Sequence, residues 1–100
     1  MTGIMKGAVK GKTAWYYIEN GIFNDAANGI VRKADQSDTQ WYYVKNGVYT
    51  SAVGITKKYN SADTHWYYVL DGRFNKATGI VHRVDTTKGW YYIVAGVYKT

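Results

Sequence analysis

Paired aromatic side chains recur along the chain in a pattern that suits ligand binding. Each of the four Trp residues is followed by two Tyr residues, so a Trp and the second Tyr stand two positions apart. On a β-strand, residues two positions apart share one face. Such a pair offers a flat surface for a sugar ring and an electron-rich face for a cation. The eight candidate ligand-binding residues are Trp15, Tyr17, Trp41, Tyr43, Trp66, Tyr68, Trp90 and Tyr92.

A basic or titratable residue recurs near the start of each repeat and forms a second candidate set. It stands three positions after a repeated glycine, and the set is Lys6, Arg32, Lys57 and His82. A further cation follows directly in three repeats, at Lys33, Lys58 and Arg83, whereas the first repeat has Gly7 there. Cations that repeat in register predict a row of positive charges that would bind a regularly spaced polyanion, such as a teichoic acid, or acidic sugars. The other interpretation is a solvated strand edge on which lysines prevent aggregation.

The sequence indicates no catalytic or metal-binding constellation. The polar segments 35–38, 60–63 and 85–89 are predicted turns, because Asp, Asn, Ser and Gly favour turns through local hydrogen bonds and positive φ. These segments lack the ordered oxygen ligands of a calcium loop, and the chain has no Cys. His65 and His82 occupy different repeat positions and have no matching partner set. A phosphate-binding glycine loop and a nucleophile–base pair are also missing from the sequence. We therefore expect no catalytic residue, no metal and no cofactor.

Tight β-hairpins are the elements that must position the aromatic pairs. The segment 41–49 reads Trp-Tyr-Tyr-Val-Lys-Asn-Gly-Val-Tyr, and the same pattern recurs at 15–23, 66–74 and 90–98. Asn-Gly or Asp-Gly between apolar runs favours a type I′ turn, in which both central residues have positive φ. Ala95-Gly96 is the weaker version in the last copy. The pattern predicts four hairpins, and we expect no helix.

A Gly-Ile pair opens each repeat, and a Trp follows that glycine after 11 or 12 residues. The repeats, called units 1 to 4 below, span residues 3–28, 29–53, 54–78 and 79–100. A unit of this size cannot bury its own apolar face, so successive units must stack. We therefore expect an all-β fold, with four hairpin repeats of about 25 residues forming a short β-solenoid or compact repeat stack. Residues 1–100 are predicted to be a single repeat domain, excised from a larger protein.

Pairing across the hairpin turn assigns the two faces of each aromatic strand. Val44 stands opposite Tyr49, and alternation places Tyr42 on the same face. This face is predicted to form the core that joins the units; the matching sets are Tyr16/Ile18/Phe23, Tyr67/Val69/Phe74 and Tyr91/Ile93/Tyr98. The opposite face carries each Trp and the second Tyr, beside positions that vary freely in polarity. That second face is predicted to stay partly wet, although packing against the next unit is the alternative.

The net charge of +6 favours acidic partners in general, which include wall polyanions, anionic membrane surfaces and nucleic acid. No apolar run reaches membrane-spanning length, and no signal-peptide pattern opens the chain. Tyr-rich hairpins at this period match none of the common nucleic-acid-binding modules. We therefore expect neither nucleic-acid binding nor membrane insertion.

Gly-Ile followed by Trp-Tyr-Tyr-Val-x-Asn-Gly, iterated at this period, resembles the cell-wall-binding repeats of Gram-positive surface proteins. These include choline-binding and glucan-binding modules, and the resemblance covers nearly the whole chain. It implies stacked hairpins, ligand pockets where aromatics of neighbouring units meet, and an extracellular, cell-surface or wall-associated location. Choline-binding repeats usually begin Gly-Trp, whereas this chain has Ile4, Ile30, Ile55 and Ile80 at that position. The missing aromatic wall argues against choline and leaves carbohydrate binding open.

Together these features predict a non-catalytic cell-surface binding module for wall polysaccharide, a related glycan or teichoic acid. The Trp-Tyr pairs would be its platforms and the basic set its support. The alternative is a structural spacer or a self-associating repeat scaffold with no ligand of its own. The exposed ends of such a stack, with unpaired strand edges, also favour a homodimer.

Overall fold

The computed structural model describes residues 2–99, and all regular elements in that range are β-strands. Each unit has three strands, which we call the opening, aromatic and short strands. The opening strands are β1 (Gly3–Val9), β4 (Gly29–Val31), β7 (Gly54–Thr56) and β10 (Gly79–Arg83). The aromatic strands are β2 (Lys12–Glu19), β5 (Tyr42–Lys45), β8 (Tyr67–Leu70) and β11 (Thr86–Val94). The short strands are β3 (Ile22–Phe23), β6 (Val48–Tyr49), β9 (Arg73–Phe74) and β12 (Val97–Tyr98).

Four tight turns join the aromatic strands to the short strands in the predicted register. Val44 pairs with Tyr49 and Lys45 with Val48, and the other three hairpins pair in the same way. Asn46 and Gly47 have φ angles of 53° and 75°, and both central residues are also positive in the other three turns. A type I′ turn requires this geometry. The four predicted hairpins are confirmed.

Units 1 and 4 each contain a second hairpin, between the opening and aromatic strands. In unit 4 the turn follows Arg83, which pairs with Thr86. The segment 86–89 was predicted as part of a polar turn but lies in β11. The spacing from Gly79 to Trp90 is one residue shorter than in the other units, and the β-branched Thr86 and Thr87 favour a strand. This part of the turn prediction is wrong.

Each unit pairs with the next one at two places. The aromatic strand of one unit is antiparallel to the short strand of the next, through Tyr16–Val48, Tyr42–Arg73 and Tyr67–Val97. The Ile of each opening strand also forms a parallel pair with a residue of the next unit, located at the end of its opening strand or just after it. These pairs are Ile4–Lys33, Ile30–Lys58 and Ile55–Arg83. Through these links the last two units close a small five-stranded barrel of β7, β8, β12, β11 and β10, and the other strands extend the same sheet. The all-β class is confirmed, whereas a solenoid of four hairpins stays a prediction.

Three apolar clusters of similar composition lie between successive units. Each contains the Ile of an opening strand, the second Tyr of the aromatic strand and an aliphatic residue from the next aromatic strand. The clusters centre on Ile4/Tyr17/Val44, Ile30/Tyr43/Val69 and Ile55/Tyr68/Ile93. All nine side chains are at most 8% exposed. Full burial of such a side chain stabilises a fold by about 1.5–3 kcal/mol.

The aromatic strands therefore separate one cluster from the next. Val44 points into the cluster of Ile4, whereas its neighbour Tyr43 points into the cluster of Ile30. The predicted core face is confirmed at Val44, Val69 and Ile93, which are fully buried. The prediction of a partly wet second face is wrong for three tyrosines and the alternative, packing against the next unit, is confirmed: Tyr17, Tyr43 and Tyr68 are 5%, 8% and 8% exposed. The following unit covers these tyrosines.

The opening glycines let the backbones of successive units touch. A Cβ on Gly54 would lie 2.6 Å from the carbonyl carbon of Arg83, and the φ of Gly54 is +140°. Gly3 and Gly29 are equally close to the following unit. Around Gly79, by contrast, residues 2–99 place no atom within 4 Å of such a Cβ. Within residues 2–99 the glycine is thus sterically required at Gly3, Gly29 and Gly54, which touch the backbone of a following unit.

Substitution of these two glycines tests the contact between units. We expect Gly54→Ala to lower the free energy of unfolding by at least about 1–3 kcal/mol, because its φ disfavours any side chain and the added Cβ meets backbone. Gly79→Ala should leave stability unchanged or raise it by about 0.4–1 kcal/mol. Urea denaturation measures both. Equal effects of the two substitutions would contradict the close contact at Gly54.

Candidate functional site

The first three indoles lie at the junctions between units. Trp15, Trp41 and Trp66 are half-buried and pack against the three apolar clusters. Trp90 is 66% exposed, and Tyr92 beside it is 52% exposed. Of the eight predicted ligand-binding residues, the unit 4 pair is therefore the most exposed, and the tyrosines of units 1 to 3 are buried.

A cation from the next unit lies over each of the first three indoles. Lys33 Nζ is 5.1 Å from the ring centroid of Trp15, and Lys58 Nζ is 4.5 Å from that of Trp41. The guanidinium carbon of Arg83 is 4.7 Å from the ring centroid of Trp66. These distances are within the roughly 6 Å range of cation–π attraction. One side of each of these indoles therefore already has a cationic partner.

An aspartate and a tyrosine of the same unit hold each of the two lysines. Asp38 Oδ2 lies 3.3 Å from Lys33 Nζ and accepts a hydrogen bond of 2.7 Å from the Tyr42 hydroxyl. The Lys33 ammonium is also 5.4 Å from the Tyr42 ring centroid. We call this arrangement of indole, phenol ring and carboxylate around a lysine the cation cage.

The cation cage recurs in unit 3. Lys58 Nζ lies 3.2 Å from Asp63 Oδ2 and 5.2 Å from the ring centroid of Tyr67, whose hydroxyl donates to the same carboxylate. In unit 4, Arg83 forms two hydrogen bonds of 3.0 and 2.8 Å with Asp85 instead. A guanidinium and a carboxylate match each other in such a two-pronged pair.

Hydrogen bonding within the cages shifts the pKa values of their members. The bond from the Tyr42 hydroxyl holds the pKa of Asp38 below its ordinary value, and the bond from Tyr67 does the same for Asp63. The bond to Asp63 in turn raises the pKa of Tyr67 to about 12. The bond to Asp38 raises the pKa of Lys33. At neutral pH the carboxylates and Lys33 are thus charged, and the phenol of Tyr67 is neutral.

The predicted basic set occupies a different position from the cage cations. Lys57 Nζ lies 5.1 Å from the ring centroid of Trp66, in its own unit, and the His82 ring lies 5.8 Å from the ring of Trp90. Lys6 is exposed and pairs in register with Trp15. Arg32 is half-buried and donates to the backbone oxygen of Asp38 at 3.2 Å. Two of the four residues thus contact an indole directly.

A shallow groove of about 360 Å³ lies beside Trp66. Its walls combine the indole with Lys45, Lys57 and Arg83, and Tyr43 also lines it. Lys45 and Lys57 are exposed. Within residues 2–99 neither of these two lysines forms an ion pair, so their charges face solvent. The groove therefore joins an aromatic surface to positive charge.

Sequence reasoning missed the role of the cages. The residues concerned are Lys33, Asp38, Tyr42, Lys58, Asp63, Tyr67, Arg83 and Asp85. One signal was present, because units 2 and 3 both place an Asp five residues after the Lys and a Tyr four residues after the Asp. The aspartates were interpreted as turn formers only. Asp38 and Asp63 do accept hydrogen bonds from the turn backbone, so that interpretation is incomplete and not wrong.

Three segments of the chain match a family model described as a choline-binding repeat. They are residues 4–24, 36–48 and 84–97, which together cover just under half of the chain and include three of the four Trp-Tyr-Tyr motifs. These segments are therefore similar to choline-binding repeats, which supports the predicted resemblance to the cell-wall-binding repeat family. No curated protein and no solved structure matches the chain. No helix of membrane-spanning length and apolarity occurs in the described range.

The pH dependence of stability tests the cation cage. The folded-state pKa of Asp63 is lowered, so its contribution to stability is present above the ordinary aspartate pKa of about 3.9 and is lost as pH falls below it. The Asp63→Asn variant has no carboxylate to protonate. We therefore expect its free energy of unfolding to fall less than that of the wild type between about pH 5 and pH 2.

Urea denaturation at several pH values measures this difference. The control is Asp25→Asn, which removes an exposed carboxylate outside the cages and should keep the wild-type pH dependence. An acid response of Asp63→Asn equal to that of the wild type would show that the cage does not couple Asp63 to folding.

Proposed function

We propose that the chain is a non-catalytic cell-surface binding module for wall polysaccharide, a related glycan or teichoic acid. The ligand would lie against the accessible indoles, with the uncompensated cations as support. The observation that carries the proposal is the groove beside Trp66, where an aromatic surface meets Lys45 and Lys57. Trp90 with Tyr92 is the second proposed contact, because both rings are open to solvent.

The charge distribution supports an anionic wall polymer. Three of the seven acidic side chains, Asp38, Asp63 and Asp85, neutralise the two cage lysines and Arg83. Exposed lysines outside the cages, such as Lys57 and Lys6, are left to attract an external anion. Phosphates of a teichoic acid or carboxylates of acidic sugars have the required charge. Attraction between exposed charges weakens as salt rises, so the ionic part of binding should too.

The structural alternative has one observation in its favour. The two cages and Arg83 fill one side of three indoles with the chain's own cations, as expected of side chains that hold a stack together. A spacer or scaffold without a ligand would need no more than this. Such a scaffold would not require the open groove or the exposed Trp90. One array could nevertheless serve both as a scaffold and as a binding module. We also propose that the four units stack as a β-solenoid and that the chain is part of a larger protein.

Retention on purified Gram-positive cell walls tests the binding function. We expect the wild type to be retained at low salt, less at moderate salt, and less on walls stripped of teichoic acid. Trp90→Ala and Lys57→Ala should each reduce retention several-fold without unfolding, because both side chains are exposed. Leu70→Ala, a control at a 45% exposed apolar residue away from the groove, should be retained normally. Absence of wild-type retention at both salt concentrations would refute the proposal.

The matching family model is described as a choline-binding repeat, so choline is a candidate ligand. We propose that free choline does not enter the cages, because Lys33 and Lys58 occupy the aromatic faces that would attract its ammonium. Removal of one lysine should open a site that keeps its indole, phenol and carboxylate.

The Lys58→Ala variant tests this occupancy. In a titration followed by tryptophan fluorescence, choline should bind Lys58→Ala at least tenfold more tightly than it binds the wild type. This difference corresponds to about 1.4 kcal/mol of binding free energy. Lys45→Ala, which removes an exposed lysine outside the cages, should respond like the wild type. Equally strong choline binding by wild type and Lys58→Ala would show that the cage lysine does not exclude the ligand.

A further inference from the structure

The groove described above has an equivalent place one unit earlier in the chain, beside Trp41. The backbone register is the same at both places. Tyr59 N donates to Ile30 O at 3.1 Å, and Val84 N donates to Ile55 O at the same distance. Tyr59 and Val84 therefore occupy one repeat position, five residues after the opening glycine of units 3 and 4.

At the later place, the small side chain at this position leaves space for a ligand. Val84 lines the groove of about 360 Å³ together with Tyr43 and Trp66. It is half-buried and packs against the cluster of Ile30. Because a valine side chain ends at its γ-methyl groups, the ring of Tyr43 remains on the wall of an open groove.

At the earlier place, a phenol occupies the corresponding space. The ring of Tyr59 meets the ring of Tyr17 edge to face, with 5.3 Å between the centroids and 75° between the planes. Aromatic side chains favour this arrangement at this distance. Tyr17 holds the repeat position of Tyr43, which lines the open groove. Tyr59 therefore covers the surface that corresponds to the Tyr43 wall.

Hydrogen bonds fix the phenol in this position. Asn24 Nδ2 donates to the Tyr59 hydroxyl at 2.8 Å and to Glu19 Oε1 at 3.1 Å. An amide of unit 1 thus holds a side chain of unit 3. Thr50 stands at the position of Asn24 in unit 2, and its hydroxyl donates to Val48 O. The second place therefore has no amide at the position that fixes the phenol at the first.

The charged residues at the two places differ as well. Glu19 occupies the repeat position of Lys45, and Arg32 occupies that of Lys57. The two lysines are exposed and give the open groove two positive charges, whereas Glu19 and Arg32 carry opposite charges. A polyanion at the place beside Trp41 would meet a carboxylate, which repels it. Shape and charge both disfavour an anionic ligand there.

We propose that the side chain five residues after the opening glycine decides which junction admits the wall polymer. Val84 leaves the groove beside Trp66 open, and Tyr59 closes the equivalent site beside Trp41. This inference rests on the proposed function, because its ligand is the anionic glycan or teichoic acid named there. Val84 is then a specificity-determining residue, and the place beside Trp41 is a second, occluded binding site.

Exchange of bulk and charge between the two places tests the proposal. Val84→Tyr should close the groove beside Trp66. The double variant Tyr59→Val with Glu19→Lys should open the site beside Trp41 and supply a cation there. Two controls should behave like the wild type, since Tyr59→Phe keeps the ring and Val84→Ala keeps the open space.

Nuclear magnetic resonance reports the two places separately, because each indole N–H gives its own signal. The probe is a soluble oligomer of glycerol phosphate, a phosphodiester chain of the teichoic acid class. In the wild type it should shift the signal of Trp66 and leave that of Trp41 unchanged. Val84→Tyr should weaken the affinity reported by Trp66 by about tenfold or more. The double variant should gain a concentration-dependent response at Trp41.

Ring contacts test the occlusion without any ligand. Nuclear Overhauser effects should connect the rings of Tyr17 and Tyr59 in the wild type. In Val84→Tyr, the introduced ring should show the same effects with Tyr43. Circular dichroism checks that the variants fold, and the two exchanges act at different junctions, so either one decides the question if the other does not fold.

Three results would overturn the proposal. They are a Trp66 response that survives in folded Val84→Tyr, an introduced ring that does not contact Tyr43, and a folded double variant whose Trp41 stays silent while Trp66 of the wild type responds. A wild type that does not respond to the probe at Trp66, but shows all the expected ring contacts, would refute the proposed anionic ligand and still support the occlusion.

Discussion

Burial of the second tyrosine by the following unit is the interaction on which the rest of this structure depends. A unit of about 25 residues has one opening strand and one hairpin, and these cannot enclose a core by themselves. The chain meets this constraint by using each inner aromatic strand twice, with Tyr43 in one cluster and Val44 in the cluster before it. The opening glycines then become necessary, because the clusters close only if neighbouring backbones touch.

The same junctions determine which aromatic surface remains for a ligand. A cation of one unit sits over the indole of the unit before it, and a carboxylate and a phenol hold it there. The lysine that fills an aromatic cage therefore also helps to hold two successive units together. The surface proposed for an external molecule is the groove beside Trp66 and the unit 4 pair, whose Trp90 is 66% exposed within residues 2–99.

Local chemistry made part of this structure predictable. The four hairpins and their register follow from the turn residues and strand alternation, and both depend on a few adjacent residues. The sequence leaves the burial of Tyr43 open between a partly wet face and packing against the next unit, because the covering unit lies 25 residues further along. The cages escaped prediction for a related reason. Lys58 reaches Trp41 only through the parallel pairing of Ile30 with Lys58, which the sequence of a single unit does not reveal.

Truncation of the same tyrosine in two units measures the central claim most directly. Tyr43 and Tyr92 occupy one repeat position, but only Tyr43 has a following unit within the described residues. Tyr43→Ala should reduce the free energy of unfolding by about 3–5 kcal/mol, the cost of removing a large buried ring, and Tyr92→Ala should cost much less. Similar small losses at both positions would mean that the second tyrosines do not join one unit to the next.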